Sequence, residues 1–350
     1  MSLSIHPLTL KKLQRFRRIK RGYYSAVFLM ILLVAGCFAE LLVSNRAIVV
    51  KYNDTYYFPT YSHFLPGETF GLDYPYETNY RELANKFSQL DGSNNWLLMP
   101  PVPFNAFETD LKEGTYPPYP PSLQTQHYLG TDSTGRDILA RLVYGFRIAI
   151  WFSIMLLLCN YLIGVVIGCI MGYFSGKFDI VFQRVIEIWS NIPYLYVIMI
   201  IASIMVPGFW SLLSIMIFFG WMGMTWYMRT STYKEKARTY TLAARALGAS
   251  HWRIIYHHIL PNSVSILITF IPFSVAAGIT ALTALDYLGF GLPPPTPSWG
   301  ELLKQGTDNL DSPWIVGSVV SAMTIILVMV TWIGEAIREA FDPKKFTVYE

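Results

Sequence analysis

The stretch YTLAARALGASHWRIIYHHILPN (residues 240–262) is polar and basic, yet it lies between two long apolar segments of a 350-residue chain. Its first part is rich in Ala, Leu and Arg, which are strong helix formers. Gly248 suits the left-handed residue at which such a helix ends. Ser250 can cap a second short helix, and Pro261 suits the first turn of the apolar helix that follows. The stretch therefore predicts a compact pair of short helices joined by a sharp turn.

Small side chains at this turn would let the groove of a soluble partner approach closely, and the arginines could hydrogen-bond that partner or face lipid headgroups. We therefore interpret residues 230–262, named the docking loop, as an attachment site for another protein. The candidate docking residues are Leu242, Ala243, Ala244, Arg245, Gly248, Ala249, Ser250, Arg253, Leu260 and Pro261. An ordinary amphipathic helix at the membrane surface is the alternative interpretation of the same residues.

The composition of the whole chain indicates a membrane protein. Hydrophobic residues make up 53% of it and charged residues 14%, with a mean hydropathy of +0.36. A soluble domain is rarely so apolar. Runs that reach the roughly 20 apolar residues needed to span a bilayer lie at about 23–43, 146–171, 180–206, 210–228, 263–288 and 314–333. The predicted fold class is an all-α polytopic membrane protein with six transmembrane helices and a periplasmic insert after the first.

Basic residues predict the orientation of these spans. The first span is too long for a cleaved signal peptide, and the lysines and arginines of residues 11–21 place its N-terminal end in the cytoplasm. Six spans return the C-terminus to that side and put the basic docking loop there too. The predicted organisation is a basic N-terminus with the first span (1–43), an outside segment (44–144), a five-helix core (145–340) and a cytoplasmic tail (341–350).

The outside segment is rich in aromatic, acidic and proline residues. Its aromatic content predicts that it folds, because disordered segments are poor in such residues. The run PPYPP (117–121) excludes a helix interior or a central strand at that point. We expect a small irregular lobe packed over the outer face of the membrane. A docking platform for a periplasmic protein and a structural cap both fit this composition.

Charged residues at the ends of the spans predict local pairs. In GTDSTGRDILARLVYGFR (130–147), Asp132 or Ser133 can cap an amphipathic helix at the outer interface. Asp137 and Arg141 of that helix have the i,i+4 spacing of a favourable ion pair. The pattern predicts an interfacial helix that leads into the second span.

Two further segments interrupt the spans. Asp179, Arg184 and Glu187 lie near one end of the third span, where snorkelling and mutual pairing explain them better than a gate does. Pro193 should kink the third span at or just before that residue. The segment DYLGFGLPPPTPSWG (286–300) should end the fifth span in a loop, with Trp299 anchored at the membrane interface.

The chain offers no motif for catalysis. It contains neither G-x-x-x-x-G-K-[ST] nor H-E-x-x-H. His257 and His258 are adjacent and therefore do not share one face of a helix. Three cysteines, all in apolar segments, predict buried small residues and no disulfide or metal cluster: Cys37, Cys159 and Cys169. We predict no catalytic residue, no cofactor, no metal and no nucleic-acid partner.

Four motifs resemble one family. LGTDSTGRD (129–137), DYLGFGLPPPTPSWGELL (286–303) and GEAIREAFDP (334–343) resemble signatures of the C-type permeases of oligopeptide and dipeptide ABC importers. The docking loop resembles the coupling loop of the same permeases, except that Leu242 stands where the motif usually has Glu. The long aromatic insert resembles that of the Yej subtype, which is associated with oligopeptides and microcin C.

This resemblance implies an inner-membrane permease subunit that imports peptides, including microcin C-like conjugates. It implies that a second, homologous permease completes the path, that two ATP-binding cassette subunits dock on the coupling loops, and that a periplasmic solute-binding protein delivers the peptide. A channel or secondary transporter acting alone is the alternative, but it would need mid-span carboxylates for gradient coupling. A membrane scaffold is a third interpretation, and it leaves the docking loop unexplained.

Overall fold

The computed structural model describes residues 7–89 and 94–341, and most of these residues are helical. The helices are α1 (Pro7–Arg18), α2 (Lys20–Cys37), α3 (Ala39–Leu42), α4 (Tyr80–Gln89), α5 (Ile138–Phe174), α6 (Gly176–Ser190), α7 (Tyr194–Ile204), α8 (Phe209–Gly220), α9 (Met222–Lys236), α10 (Thr239–Ala246), α11 (His251–Ile254), α12 (Leu260–Tyr287), α13 (Trp299–Asp308) and α14 (Pro313–Phe341). Three short strands lie between α3 and α5: β1 (Val49–Tyr52), β2 (Thr55–Tyr57) and β3 (Trp96–Leu98).

Within the described ranges, five helical stretches are long and apolar enough to cross a membrane. They are Lys20–Cys37, Ile138–Phe174, Phe209–Lys236, Ile266–Tyr287 and Pro313–Phe341. A sixth crossing results if α6 and α7 count as one broken span, because these two helices are bent by 59° at a short break. Pro193 lies at that break as the N-cap of α7, where it cannot continue the hydrogen-bond ladder of α6. The number of spans and the predicted kink agree with the sequence.

The helix predicted to lead into the second span is the start of α5, which continues without a break to Phe174 and is buried there rather than interfacial. Asp137 is its N-cap and accepts a hydrogen bond from the Ala140 N–H at 2.8 Å. Asp132 instead closes the preceding turn by accepting from the N–H groups of Thr134 and Arg136 at 2.9 and 3.0 Å. The N-cap is therefore Asp137, five residues after Asp132, which was the earlier of the two predicted positions.

Close helix packing holds the spans together. Gly164, Gly168 and Gly172 form a glycine stripe along α5, and α9 lies directly against it. A Cβ at Gly168 would lie 2.6 Å from the carbonyl oxygen of Thr225, so only glycine permits this approach. Likewise a Cβ at Gly22 of α2 would lie 2.2 Å from that of Ala336, which places the first span against the last.

The lobe between α3 and α5 is more regular than predicted. Its strands form an antiparallel sheet in the order β2-β1-β3, with Val50 opposite Tyr57 on one side and Leu97 on the other. The lobe has its own buried core: Ala47, Val50, Phe70, Leu72, Tyr80, Leu83 and Phe87. The proline run lies outside every helix and strand, as expected.

A second apolar cluster joins the lobe to the helices. Val102 and Phe104 of the lobe pack with Val43, which follows α3, and with Tyr144 of α5. This cluster is separate from the core around the sheet. The sheet unit therefore stands on a base that belongs to the membrane helices.

Arg141 is fully buried near the N-terminal end of α5, and its partners are not the predicted ones. Its guanidinium hydrogen-bonds the Glu301 carboxylate of α13, and its Nε lies 3.5 Å from the Asp132 carboxylate. Arg136 bridges the same two acids at 2.8 and 2.9 Å. The predicted Asp137–Arg141 pair was therefore wrong.

Asp137 is committed to another buried contact. Its carboxylate lies 2.8 Å from Nδ1 of His127, which is fully buried. The other ring nitrogen of His127 lies 3.1 Å from Asp110, and the ring stacks on Phe104 at 3.9 Å. The histidine thus ties the lobe to the start of α5.

The acidic residues of α6 take part in two ion pairs, of which one was predicted. Arg184 and Glu187 pair with each other at 2.5 Å on an exposed face. Asp179, by contrast, is bound by Arg229 of α9, with both N···O distances at 2.6 Å. The pairing within one helix is confirmed for Arg184 and Glu187 alone.

Trp299 is not an interfacial anchor. Its side chain is 3% exposed, its indole N–H donates to the Leu142 carbonyl at 3.0 Å, and it stacks on Phe146. The Gly- and Pro-rich segment before it ends α12 and carries the chain directly into the core. In this position the large ring is removed from solvent and its N–H has a hydrogen-bond acceptor, which together favour burial.

Candidate docking site

The turn at the centre of the docking loop is a Schellman motif. Gly248 has φ +81°, and its N–H donates to the Arg245 carbonyl at 3.0 Å. The Ala249 N–H donates to the Ala244 carbonyl at 3.1 Å. This hydrogen-bond pair satisfies the last carbonyls of α10. The predicted left-handed glycine is confirmed.

The second half of the loop leads into a span almost without interruption. Ser250 is the N-cap of α11, and its Oγ accepts from the Arg253 N–H at 3.4 Å. A π-helical turn over Ile255–Ile259 joins α11 to α12, which has Pro261 in its first turn. The predicted positions of Ser250 as a cap and of Pro261 in the first turn are confirmed. Nothing in the sequence indicated the π turn.

Buried isoleucines fix the loop to the spans. Ile254, Ile255 and Ile259 pack into a cluster that includes Tyr173 of α5 and Met228 of α9. The Tyr173 hydroxyl also lies 2.9 Å from the Nδ1 of a histidine at the start of α11, His251. The loop therefore rests on three spans rather than hanging from its two ends.

The start of the loop is held as well. The Thr241 hydroxyl donates to the Glu235 carbonyl at 2.8 Å, and the Tyr240 hydroxyl donates to the Glu235 carboxylate. Burial, followed by the adjacent carboxylate, raises the pKa of Tyr240 above its ordinary value. Tyr240 therefore stays a neutral donor, and α10 is fixed to the end of α9.

Four large apolar side chains of the loop are exposed. Leu242 is 53% exposed, Leu247 89%, Trp252 52% and Tyr256 53%. Three of these four were not predicted as docking residues, although a tryptophan and a leucine within a polar loop were a usable signal. Exposed apolar side chains on a loop that also carries Arg245 and Arg253 have the composition of a protein-binding surface.

The structure divides the predicted docking residues into two groups. Those from 242 to 250, together with Arg253, lie on the exposed helix–turn–helix unit, with Ala243 exposed and Ala244 and Ala249 half-buried. Leu260 is half-buried against the isoleucine cluster, and Pro261 begins α12. These last two therefore lie at the base of the loop, away from its exposed turn.

A family model for the binding-protein-dependent transport system inner membrane component matches residues 164–347, which include the whole docking loop. The chain belongs to this family. The chain is 39% identical over 341 residues to the inner membrane ABC transporter permease protein YejE of Escherichia coli strain K12. The alignment covers 97% of the chain and 98% of that protein.

Two other relatives align with different fractions of the chain. The peptidoglycan transport system permease protein YejE of Agrobacterium fabrum is 37% identical, over 97% of the chain and 94% of the relative. The dipeptide transport system permease protein DppC of Bacillus subtilis is 32% identical, over 69% of the chain and 75% of the relative. The predicted resemblance to peptide ABC permeases, and to the Yej subtype within them, is confirmed.

Proposed function

We propose that this chain is the permease subunit of an ATP-driven peptide importer and has no catalytic site of its own. Its family of binding-protein-dependent transport components supports the transport role. The substrates named for its relatives are dipeptides, oligopeptides and peptidoglycan, which all contain peptide bonds. We infer a peptide substrate, with microcin C-like conjugates within its range.

The exposed apolar face of a firmly anchored docking loop is the observation that carries the coupling role. Leu247 and Trp252 would lose this exposure against the groove of a soluble subunit, which favours association. We infer that an ATP-binding cassette subunit docks here. A second such subunit, a homologous permease and a periplasmic solute-binding protein complete the transporter.

The anchoring of the loop suits the transmission of a movement. Ile254 of the loop packs in one cluster with Tyr173 of α5 and Met228 of α9, and Leu267 of α12 packs against that cluster. A closing ATPase that displaced the loop would therefore move these spans as one body rather than bend a flexible hinge. The driving free energy comes from the different affinity of the ATPase for two states of the permease, not from chemistry in this chain.

We infer that both termini and the docking loop lie in the cytoplasm and that the lobe lies in the periplasm. The basic end of α1 and the end of α14 are neighbours, since the Lys12 ammonium lies 4.5 Å from the centre of the Phe341 ring. This contact supports a common side for both termini, and the basic residues of the termini and of the docking loop favour the cytoplasm for all three.

Two variants of the exposed turn test the coupling role. Ala244→Glu places a charge on the half-buried face of α10, and Gly248→Val forces a β-branched residue into a left-handed conformation at about 1–2 kcal/mol. A Cβ at Gly248 meets no atom within 4 Å, so the substitution adds backbone strain but no steric clash at that atom. We expect near-normal membrane levels with at least tenfold lower peptide uptake, and ATPase subunits that dissociate or hydrolyse ATP without a response to substrate.

Matched changes in the lobe serve as controls. Ala84 is a half-buried alanine within α4, and Gly114 has φ +75° with open space around it. Ala84→Glu and Gly114→Val should keep copurifying ATPase subunits and their response to substrate. Full uptake by both docking-loop variants would show that the loop is an interfacial helix with no coupling role.

A further inference from the structure

A cavity of about 280 Å³ lies between the docking loop and the end of α5. The polar and charged residues of its wall are Tyr173, Ser175, Tyr233, Lys236, Thr241 and Arg245. Two of these residues are cationic, and none of the described residues that line the cavity is acidic. The cavity therefore carries two positive charges without a counter-charge in its wall.

The ammonium group of Lys236 is held in place without an acid. It donates to the Tyr173 carbonyl at 2.5 Å and to the Ser175 hydroxyl at 3.0 Å. No carboxylate in the described ranges forms an ion pair with it, and the carboxylate of the preceding residue, Glu235, accepts a hydrogen bond from Tyr240 instead. An ammonium group has three N–H donors, so one donor of Lys236 remains for a ligand.

The second cation of the cavity is also without a counter-ion. The Arg245 guanidinium, on α10, makes no ion pair and no hydrogen bond with any residue that the structure describes. Two cations that face one cavity repel each other, and a bound anion would remove that repulsion. A guanidinium binds phosphate through paired N–H donors, and a lysine adds a point charge. The pair of side chains therefore matches the chemistry of a phosphate group.

The backbone at Ser175 is an independent indication of a site. This residue has φ +57° and ψ −164°, a conformation that is nearly restricted to glycine. Its hydroxyl donates to the Gly172 carbonyl at 3.0 Å and accepts from Lys236. Strained residues of this kind are concentrated where ligands are held. Glycine would suit the backbone better but would remove an acceptor from Lys236, so Ser175 is a positioning residue for that ammonium.

We propose that this cavity binds the phosphate group of an anionic ligand, with Lys236 and Arg245 as its two cationic contacts. The site goes beyond the import function and does not depend on the substrate that is imported. Because Lys236 ends α9 and Arg245 lies in α10, one phosphate bound to both would hold α10 against the end of α9.

The position of the cavity favours a phospholipid headgroup as the source of the phosphate. The helices α5 and α9 belong to two spans, and both end at the cavity. Two exposed rings close to this end of α5, Phe174 and Phe178, offer apolar surface for acyl chains. Basic pockets between spans on the cytoplasmic side are the kind of site that recognises anionic headgroups.

The test measures lipid binding to the full-length chain, purified in detergent, by native mass spectrometry. Wild-type protein should bind dioleoyl phosphatidylglycerol, which is anionic, at least tenfold more tightly than dioleoyl phosphatidylcholine, which has no net charge. Lys236→Gln and Arg245→Gln should each weaken binding of the anionic lipid at least fivefold, because each removes one of the two cations. The lipid should raise the thermal midpoint of the wild type but not that of the double variant.

Lys234→Gln is the matched control, because Lys234 is an exposed lysine of the last turn of α9 that does not line the cavity. It should bind the anionic lipid as the wild type does. An equal loss of binding in Lys234→Gln and Lys236→Gln would show a general effect of surface charge and overturn the proposal.

Ser175→Gly tests the positioning role with a second readout. It should weaken binding of the anionic lipid while the thermal midpoint stays equal or rises, because the variant relieves the backbone. A lower midpoint with unchanged binding would make Ser175 a structural residue and contradict that role.

An excess of inorganic phosphate distinguishes the two sources of the phosphate group. Displacement of the lipid, with a rise in the midpoint caused by phosphate alone, would support the site and identify a dissolved phosphate as its ligand. Retention of the lipid would support the site and identify the headgroup. Equal affinity for the two lipids, together with no effect of inorganic phosphate on the midpoint, would overturn the proposal.

Discussion

At the scale of single residues, Arg141 shows how a buried charge determines the packing at the N-terminal end of α5. A fully buried guanidinium is tolerated only when acids neutralise it, and here Glu301 and Asp132 do so. Arg136 lies against the same two acids, so two cations share two anions in a closed set. Loss of any one charge leaves the others unbalanced in a region of low dielectric constant.

Glu301→Gln is therefore expected to destabilise the protein strongly. The substitution keeps the shape of the side chain but leaves Arg136 and Arg141 facing Asp132 alone. Removing one partner of a buried ion pair costs on the order of 3–5 kcal/mol. The thermal midpoint of the purified protein in detergent should fall clearly. Glu187→Gln breaks only the exposed pair with Arg184, where about 0–1 kcal/mol is expected, and equal midpoints for the two variants would contradict the prediction.

The same residues show what the sequence could predict at this scale. The i,i+4 spacing of Asp137 and Arg141 is a valid rule for exposed helix surfaces. It failed because Asp137 is the N-cap of α5 and binds His127, while Glu301, the partner of Arg141, lies 160 residues away in sequence. Local spacing identifies which residues need partners. It does not identify a partner that tertiary packing brings from another helix.

At the scale of elements, the contact between α5 and α9 depends on the glycine stripe. Because Gly164, Gly168 and Gly172 carry no side chains, the backbone of α9 can lie close against that of α5. Small residues at such crossings are the usual means of helix association in membranes. α9 also carries the docking loop, so this interface determines how the loop is held.

Gly168→Leu is expected to disrupt this interface. An added Cβ would lie 2.6 Å from the Thr225 carbonyl oxygen and 2.7 Å from the Met228 Cβ, and neither wall can move far. Overpacking of this kind costs typically about 1–3 kcal/mol, and more where backbone must shift. We expect reduced membrane levels and aggregation of the solubilised protein, measured by size-exclusion chromatography. Gly317→Leu, which faces open space, should remain monodisperse, and a similar profile for Gly168→Leu would refute the role of the stripe.

The helices could be predicted where an apolar run or a capping residue marks them in the sequence. Six apolar runs gave the spans, Pro193 gave the break between α6 and α7, and Gly248 and Ser250 gave the turn of the docking loop. The first two turns of α5 were predicted as helix, but their N-cap and the burial of Arg141 were not. The strands of the lobe are three or four residues long, too short for an alternating pattern to be recognised.

At the scale of the whole molecule, the lobe and the docking loop are predicted to lie on opposite sides of the membrane. Tyr116 is 94% exposed in the lobe and Leu247 is 89% exposed in the docking loop. Single cysteines at these two positions, in a background without Cys37, Cys159 and Cys169, should react with an impermeant maleimide from opposite sides. Labelling of both positions in intact spheroplasts would contradict the proposed orientation.

The lobe itself can be removed along a boundary that the structure defines. The Ile48 N–H donates to the Leu98 carbonyl at 2.8 Å, so the two ends of the sheet unit are adjacent. Deleting residues 49–97 and joining the ends with two glycines removes the sheet and α4 but keeps Val43, Val102 and Phe104 on the helices.

Because the deleted unit has its own core and each span its own apolar run, we expect normal membrane insertion and normal basal ATPase activity in the assembled transporter. If the unit receives the binding protein, the stimulation of ATPase activity by loaded binding protein should fall at least fivefold. That result, with basal activity as the internal control, is the one we expect, because a large folded unit raised on a separate base is better suited to contact a partner than to seal the helices beneath it. Undiminished stimulation would instead identify the sheet unit as dispensable and leave the base formed by Phe104 and its neighbours as the cap over the permease.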